Sequence, residues 1–159
     1  NRQPWRFVVM TSPTAKAHLA DKMESEFQRD LEKDNLSNEE IQKRLKRSRE
    51  RINSAPVIIL LCTDMTEMDA YPDAQRKKAE YLIATQSAAN AGMQLLLAAH
   101  AEGLGSVWVC SPMFAQKTVQ QALDLSQQWE PQAMFLIGYA LETPAVRERK
   151  SLKEITKFI

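Results

Sequence analysis

Between Arg76 and Ala101 the chain reads RKKAEYLIATQSAANAGMQLLLAAHA, a proline-free stretch whose middle is small and apolar on nearly every side of a helical repeat. Nothing else in the sequence constrains the fold as strongly, because a helix that is apolar all round is expected to be buried all round. At about 1.5 Å per residue it runs to about 40 Å, comparable to the diameter of a small domain. A chain of 159 residues makes one domain with one core. The helix is therefore either the central helix of a monomer or part of a core shared with a second copy, and its length favours the second copy. Gly103 stops it as a glycine just past the helix end, and Leu104-Gly105 turns the chain.

The remaining elements alternate around this helix. Arg6 to Met10 reads as a short strand, followed by Ser12-Pro13 as an N-cap and first helical residue. Ala15, Leu19, Met23, Phe27 and Leu31 recur every fourth position, which predicts an amphipathic helix packed on one face. Asp34-Asn35-Leu36 breaks it, and Ser37 with Glu40 forms a capping-box pattern that opens a second helix. That helix carries Lys43, Arg44, Lys46, Arg47, Arg49 and Arg51 around only three apolar anchors, Ile41, Leu45 and Ile52. It reads as a solvated, weakly anchored element able to act as a lid, in preference to a nucleic-acid surface, because glutamates interleave with the bases. Ala55 to Cys62 is a continuous apolar run suited to a central strand covered on both faces. Ser106 to Cys110 predicts a further strand, Phe114 to Leu123 a short helix, and Ala133 to Ile137 the last strand. Residues 141–159 are polar and read as a tail with little core of its own. The alternation predicts an α+β (α/β-like) fold, a mixed sheet with largely parallel pairing flanked by helices.

Several function classes are disfavoured by composition. With 21 Lys+Arg against 20 Asp+Glu, the chain has no net field to draw nucleic acid or an anionic membrane. Cys62 and Cys110 are too few for a disulfide scaffold, and two histidines make no structural zinc set. No apolar run reaches the length of a membrane span, so a cytoplasmic protein is the default expectation. The four glycines all lie in the second half, and no glycine-rich phosphate cradle follows the first strand. A bound nucleotide phosphate would need cationic side chains or a helix terminus.

Four stretches, in order, carry a resemblance. They are N-x-Q-P-W before the first strand, A-x-G-L-G-S-x-W after the long helix, I-G-Y-A in the last strand, and E-T-P followed by R-x-R-K-S-L-K-E-I at the end. Together they resemble the FMN-dependent nitroreductase family over essentially the whole chain. DKMESEFQRDL, YPDAQRKKAE, GLGSVWVCSPMF and LDLSQQWEP further resemble the nitroreductase-type C-terminal domain of the glutamyl ligase of coenzyme F-420, a deazaflavin. The resemblance implies one flavin domain spanning 1–159, with the family's N-terminal helix and its phosphate-gripping R-S-x-R segment lying before Asn1. It also implies a homodimer with the long helix at the subunit boundary and a small-molecule substrate. A nicotinamide, NAD(P)H, or a deazaflavin would serve as redox partner.

The same resemblance implies site residues. Arg147, with Arg149 beside it, falls where the family grips the FMN phosphate, a task that suits guanidinium. Cys110 and Ser111 fall where backbone N–H groups meet the flavin N5–O4 edge. Asn1 and Gln3 match the segment that reaches the flavin of the partner subunit. Asp30 falls where the deazaflavin enzyme's domain contacts its large ligand. No acid–base dyad and no metal set is expected, because the redox chemistry would sit on the flavin. The expected function is FMN-dependent hydride transfer to an organic acceptor, with a deazaflavin precursor as one candidate. The alternative is a non-catalytic flavin- or deazaflavin-binding protein.

Overall fold

The computed structural model describes residues 2–142 and 144–159. In chain order the elements are β1 (Trp5–Met10), α1 (Pro13–Lys33), α2 (Asn38–Ser54), β2 (Val57–Asp64), α3 (Ala74–Ala101), β3 (Gly105–Val109), α4 (Ser111–Phe114), α5 (Gln116–Ala122), β4 (Trp129–Gly138) and α6 (Leu152–Ile155). The four strands form one sheet in the order β1-β2-β4-β3.

Every pairing in that sheet is antiparallel, which corrects the expectation of largely parallel strands. The reason lies in the connections. A single crossover helix returns the chain to the far end of the sheet, whereas two antiparallel helices return it to the end it left. Between β1 and β2 the chain makes the α1–α2 hairpin, so Met10 ends up paired with Ile58 at the start of β2. Two short helices likewise separate β3 from β4. Only β2 and β3 are joined by one helix, and they do run parallel, but β4 lies between them.

Local signals set the helix ends. Ser12 accepts from the Ala15 N–H at 3.4 Å with Pro13 at the first helical position, and Ser37 accepts from the Glu40 N–H at 3.3 Å. Only half of the expected capping box forms at α2, because the Glu40 carboxylate takes Arg44 Nε at 2.9 Å instead. At the end of α3, Gly103 sits at φ +74°, a conformation that favours glycine. Its N–H donates to the His100 carbonyl at 3.0 Å and that of Leu104 to Ala99 at 2.9 Å, closing a Schellman motif. The expected Phe114–Leu123 helix starts earlier and is split in two, with Ala115 at φ −135° between α4 and α5.

Two apolar layers cover the sheet. On one face Leu19, Met23 and Ile52 of the hairpin pack with Ile58, Leu60, Cys62 and Met134. On the other, Ala88 of α3 packs with Leu61, Phe135 and Ile137. The β2 run is thus buried on both faces, as its continuous hydrophobicity predicts. The hairpin tip has a small core of its own, Leu31, Ile41 and Leu45. Lys16 threads its stem between the helices and, although buried, donates to the carbonyls of Ala55 (2.6 Å) and Pro56 (3.1 Å), satisfying groups left open past the end of α2.

The long helix departs from expectation in one respect. Within a single chain α3 is not buried all round: Ala84, Ala88, Gly92 and Ala99 face the sheet, while Leu82, Ile83, Met93 and Leu97 are exposed. Its second apolar face lacks a cover within one copy. The tail behaves similarly. Every described residue from Tyr139 onward is exposed, Leu141, Val146, Phe158 and Ile159 among them.

Candidate functional site

The sequence-predicted residues separate into three places. Cys110 and Ser111 join β3 to α4 at one edge of the sheet. The strand is held there by Trp108, whose ring packs edge-to-face on Phe135 with centroids 4.9 Å apart. Trp108 Nε1–H also donates to Cys110 Sγ at 3.1 Å, which fixes the exposed thiol. Among the described residues, the Ser111 N–H donates to no loop or side-chain acceptor, in keeping with its place in the first turn of α4.

Gln3 lies beside the opposite edge strand, about 14 Å across the sheet by strand spacing and further off along the strands. Asn1 lies outside the described residues. Gln3 adopts φ +47°, an unusual conformation for a residue with a side chain, and its backbone is clamped in place. Arg6 Nη1 donates to the carbonyls of Gln3 (2.9 Å) and Trp5 (3.0 Å), while Arg6 Nη2 meets Asp64 Oδ2 at 3.0 Å. Asp64 in turn accepts from the Thr66 N–H (2.9 Å) and Oγ1 (2.6 Å), and its own N–H donates to the Pro4 carbonyl at 2.7 Å. Burial alone would push the Asp64 carboxyl up. The Thr66 hydrogen bonds and Arg6 outweigh that and hold it below the usual carboxylate range. Sequence reading missed this clamp. The signal was present in Arg6 and in Thr63-Asp64-Met65-Thr66, but only strand pairing brings them together.

Arg147 and Arg149 are not brought to either place. Both lie in the exposed tail and neither is ion-paired among the described residues.

Asp30 and Ser111, by contrast, line the same cavity. It measures about 700 Å³ and lies between the α1–α2 hairpin and the β3–α4 junction, in the size range of small-molecule sites. Its apolar lining includes Met23, Phe27, Ile52, Phe114 and Met134, and α2 contributes Arg44, Arg47 and Arg51 to one side. Asp30 is exposed and paired with Lys33 at 3.0 Å. Sequence reading identified α2 as basic but gave no means of telling which arginines would face a cavity.

Other polar groups are structural. Tyr81 on α3 donates to the Glu130 carboxylate, which also receives Gln116 (2.9 Å) and Gln132 (3.0 Å), tying α3 and α5 to β4. Burial, reinforced by Glu130, pushes the Tyr81 hydroxyl up. Burial pushes the Cys62 thiol up to about 12, which leaves it a core residue and not a nucleophile. Among the described residues no cluster of three metal-ligating side chains occurs, and no helix is long and apolar enough to cross a membrane.

Comparison with known proteins agrees with this geometry. The profile of the nitroreductase family matches residues 1–139. YfhC of Bacillus subtilis (strain 168), described as a candidate NAD(P)H nitroreductase, is 25% identical over 152 residues, 96% of this chain and 71% of that protein. Among solved structures, a BluB-like flavoprotein from Clostridium difficile 630 superposes with a TM-score of 0.77 at 22% identity, covering 98% of this chain and 80% of its own. A nitroreductase-like protein from Bacillus cereus gives a TM-score of 0.66 at 23% identity, covering 100% and 75%. The antiparallel sheet, the long helix across one face and the match over residues 1–139 have one reading: this chain belongs to the nitroreductase family.

Proposed function

We propose that the protein is a cytoplasmic FMN-dependent oxidoreductase that works as a homodimer, taking electrons from NAD(P)H and passing them to a small organic acceptor. The observation that carries this reading is the β3–α4 junction, where Ser111 lines a cavity of about 700 Å³ and its N–H, among the described residues, meets no loop or side-chain acceptor. FMN, when bound, supplies two-electron hydride chemistry. The chain's own residues hold and orient it. The Ser111 N–H, with the Cys110 backbone, serves the N5–O4 edge, and hydrogen bonds to that edge favour the electron-rich reduced ring.

The dimer is supported by two unpartnered features. The exposed face of α3 (Leu82, Ile83, Met93, Leu97) is a continuation of a buried helix, and the tail exposes Leu141, Val146 and Phe158 without a core of its own. A second copy covers both, and its tail then delivers Arg147 and Arg149 to the phosphate. Gln3, set across the sheet from Cys110 in one copy, serves the flavin of the other together with Asn1. The Arg6–Asp64 clamp keeps Gln3 in the conformation this requires.

The test is FMN titration of wild type and Arg147→Ala. Loss of one charge-assisted phosphate contact should weaken binding at least about tenfold. Unchanged affinity would return Arg147 to a solvated tail. A deazaflavin or its precursor as the acceptor is a finer reading, favoured by Asp30 and the α2 arginines lining one cavity. Calorimetry with coenzyme F-420 on wild type and Asp30→Ala decides it.

A further inference from the structure

The buried side of α3 is made of small residues, Ala84, Ala88, Gly92 and Ala99, with one exception: Glu80, a carboxylate only 8% exposed. Among the described residues no cation lies within ion-pair distance of it. The donor it receives is the main-chain N–H of Asp69, which reaches Oε1 at 3.1 Å. A buried carboxylate without a counter-ion is a net cost to the fold, and an apolar side chain would fill the place at least as well. Stability therefore does not account for Glu80.

The contacts of Asp69 supply another role. Asp69 stands in the loop between β2 and α3, and its half-exposed carboxylate pairs with Arg2. Arg2 immediately precedes Gln3, whose φ of +47° is costly for a residue with a side chain and persists only where the surroundings enforce it. On its C-terminal side Gln3 is held by the Arg6–Asp64 clamp, and the Asp64 N–H fixes Pro4 as well. On its N-terminal side the hold is the Arg2–Asp69 pair. The loop that carries Asp69 is itself pinned to the start of α3. Arg76 stacks over the Tyr71 ring, 4.9 Å from its centroid, and Asp73 accepts from the Arg76 N–H at 2.9 Å as the helix cap. The Gln3 side chain, by contrast, is exposed and makes no hydrogen bond among the described residues. Its backbone is fixed from both sides and its amide is left free for a ligand.

We propose that Glu80 is a positioning residue for the cofactor: through the Asp69 N–H and the Asp69–Arg2 pair it holds residues 2–4 so that Gln3 presents its side-chain amide to the flavin. The inference rests on the flavin reading for the identity of what Gln3 meets. The tether itself is a property of the chain.

Glu80→Met removes the acceptor at similar side-chain length, and Glu80→Gln keeps an oxygen in its place. Asp69 is exposed, so its freed N–H takes water, and Glu80→Met should melt no lower than wild type. In cofactor-free protein, hydrogen exchange of the Asp64 N–H, which donates to the Pro4 carbonyl, reports docking of the segment. Glu80→Met should speed that exchange about fivefold, the ceiling for losing an exposed ion pair, and weaken FMN binding by a similar factor. Glu80→Gln should stay close to wild type in both. With Gln3→Ala already in place, Glu80→Met should cost no further FMN affinity, because the two act through one contact, whereas a general structural effect would add. Unchanged exchange in Glu80→Met, an equal loss in Glu80→Gln, or additive losses with Gln3→Ala would each overturn the proposal. So would faster exchange at unchanged FMN affinity, since the segment would then be held for something other than the cofactor. A wild type that binds no FMN, with exchange still responding to Glu80→Met, would instead remove the flavin reading and leave the tether standing.

Discussion

Replacing Gly92 with alanine tests how closely α3 approaches the sheet behind the site. In an exposed helix the change should stabilise by about 1 kcal/mol, because alanine restricts the unfolded chain and glycine does not. Here the added Cβ would lie 2.7 Å from Phe135 Cζ and 2.8 Å from Trp108 Cζ3. Neither ring can easily give way. Phe135 is fully buried, and the two rings hold each other edge-to-face at 4.9 Å. Overpacking of this kind costs about 1–3 kcal/mol, so the net effect should be a loss of up to about 2 kcal/mol. The strain would also reach the site, because Trp108 fixes Cys110 through a 3.1 Å contact. Urea denaturation at one fixed protein concentration, so that the proposed assembly weighs equally on both proteins, should show a lower midpoint at unchanged slope. FMN affinity should fall with it. A midpoint above that of wild type would refute the close approach and with it the packing that supports β3.

Two further outcomes are expected. The Asp64 carboxyl is held below its ordinary value, so its contribution to stability is present above the unfolded pKa of about 3.9 and is lost as pH falls through the lower folded value. Asp64→Asn should therefore be less stable at neutral pH and show a flatter acid limb in thermal melts, whereas an acid limb as steep as in wild type would exclude this carboxylate as its source. A thiol reagent should label the exposed Cys110 in the native protein and reach Cys62 only on unfolding, and added FMN should slow the labelling of Cys110. Labelling that is indifferent to FMN would move the flavin away from β3.

Much of the fold is legible in the sequence because it is written in local rules. The caps at Ser12 and Ser37, the stop at Gly103 and the double-sided burial of β2 follow from residue type and spacing. Strand direction is not local. It depends on whether one helix or two intervene, and the two helices between β1 and β2 turn the pairing antiparallel. The α3 pattern correctly marks a helix packed on the sheet, but one chain supplies a cover for only part of its apolar surface. The site is legible in pieces for the same reason. Cys110 and Ser111 are adjacent in sequence and remain adjacent in space, and Asp30 shares a cavity with Ser111. Arg147 and Arg149 lie in the exposed tail and Gln3 beside the opposite edge strand, so within one copy they stay apart. The Arg6–Asp64 pair joins residues 58 positions apart through strand register, which no motif announces.

The claim that ties these elements together is that the chain binds FMN and uses it. The direct test is the visible spectrum of the protein reconstituted with FMN, followed without oxygen as NADH and then NADPH is added. Bleaching of the oxidised flavin band by at least one nicotinamide, reversed on adding an organic acceptor, is the expected result. A protein that binds no FMN, or binds it and leaves it oxidised with both donors, would contradict the account.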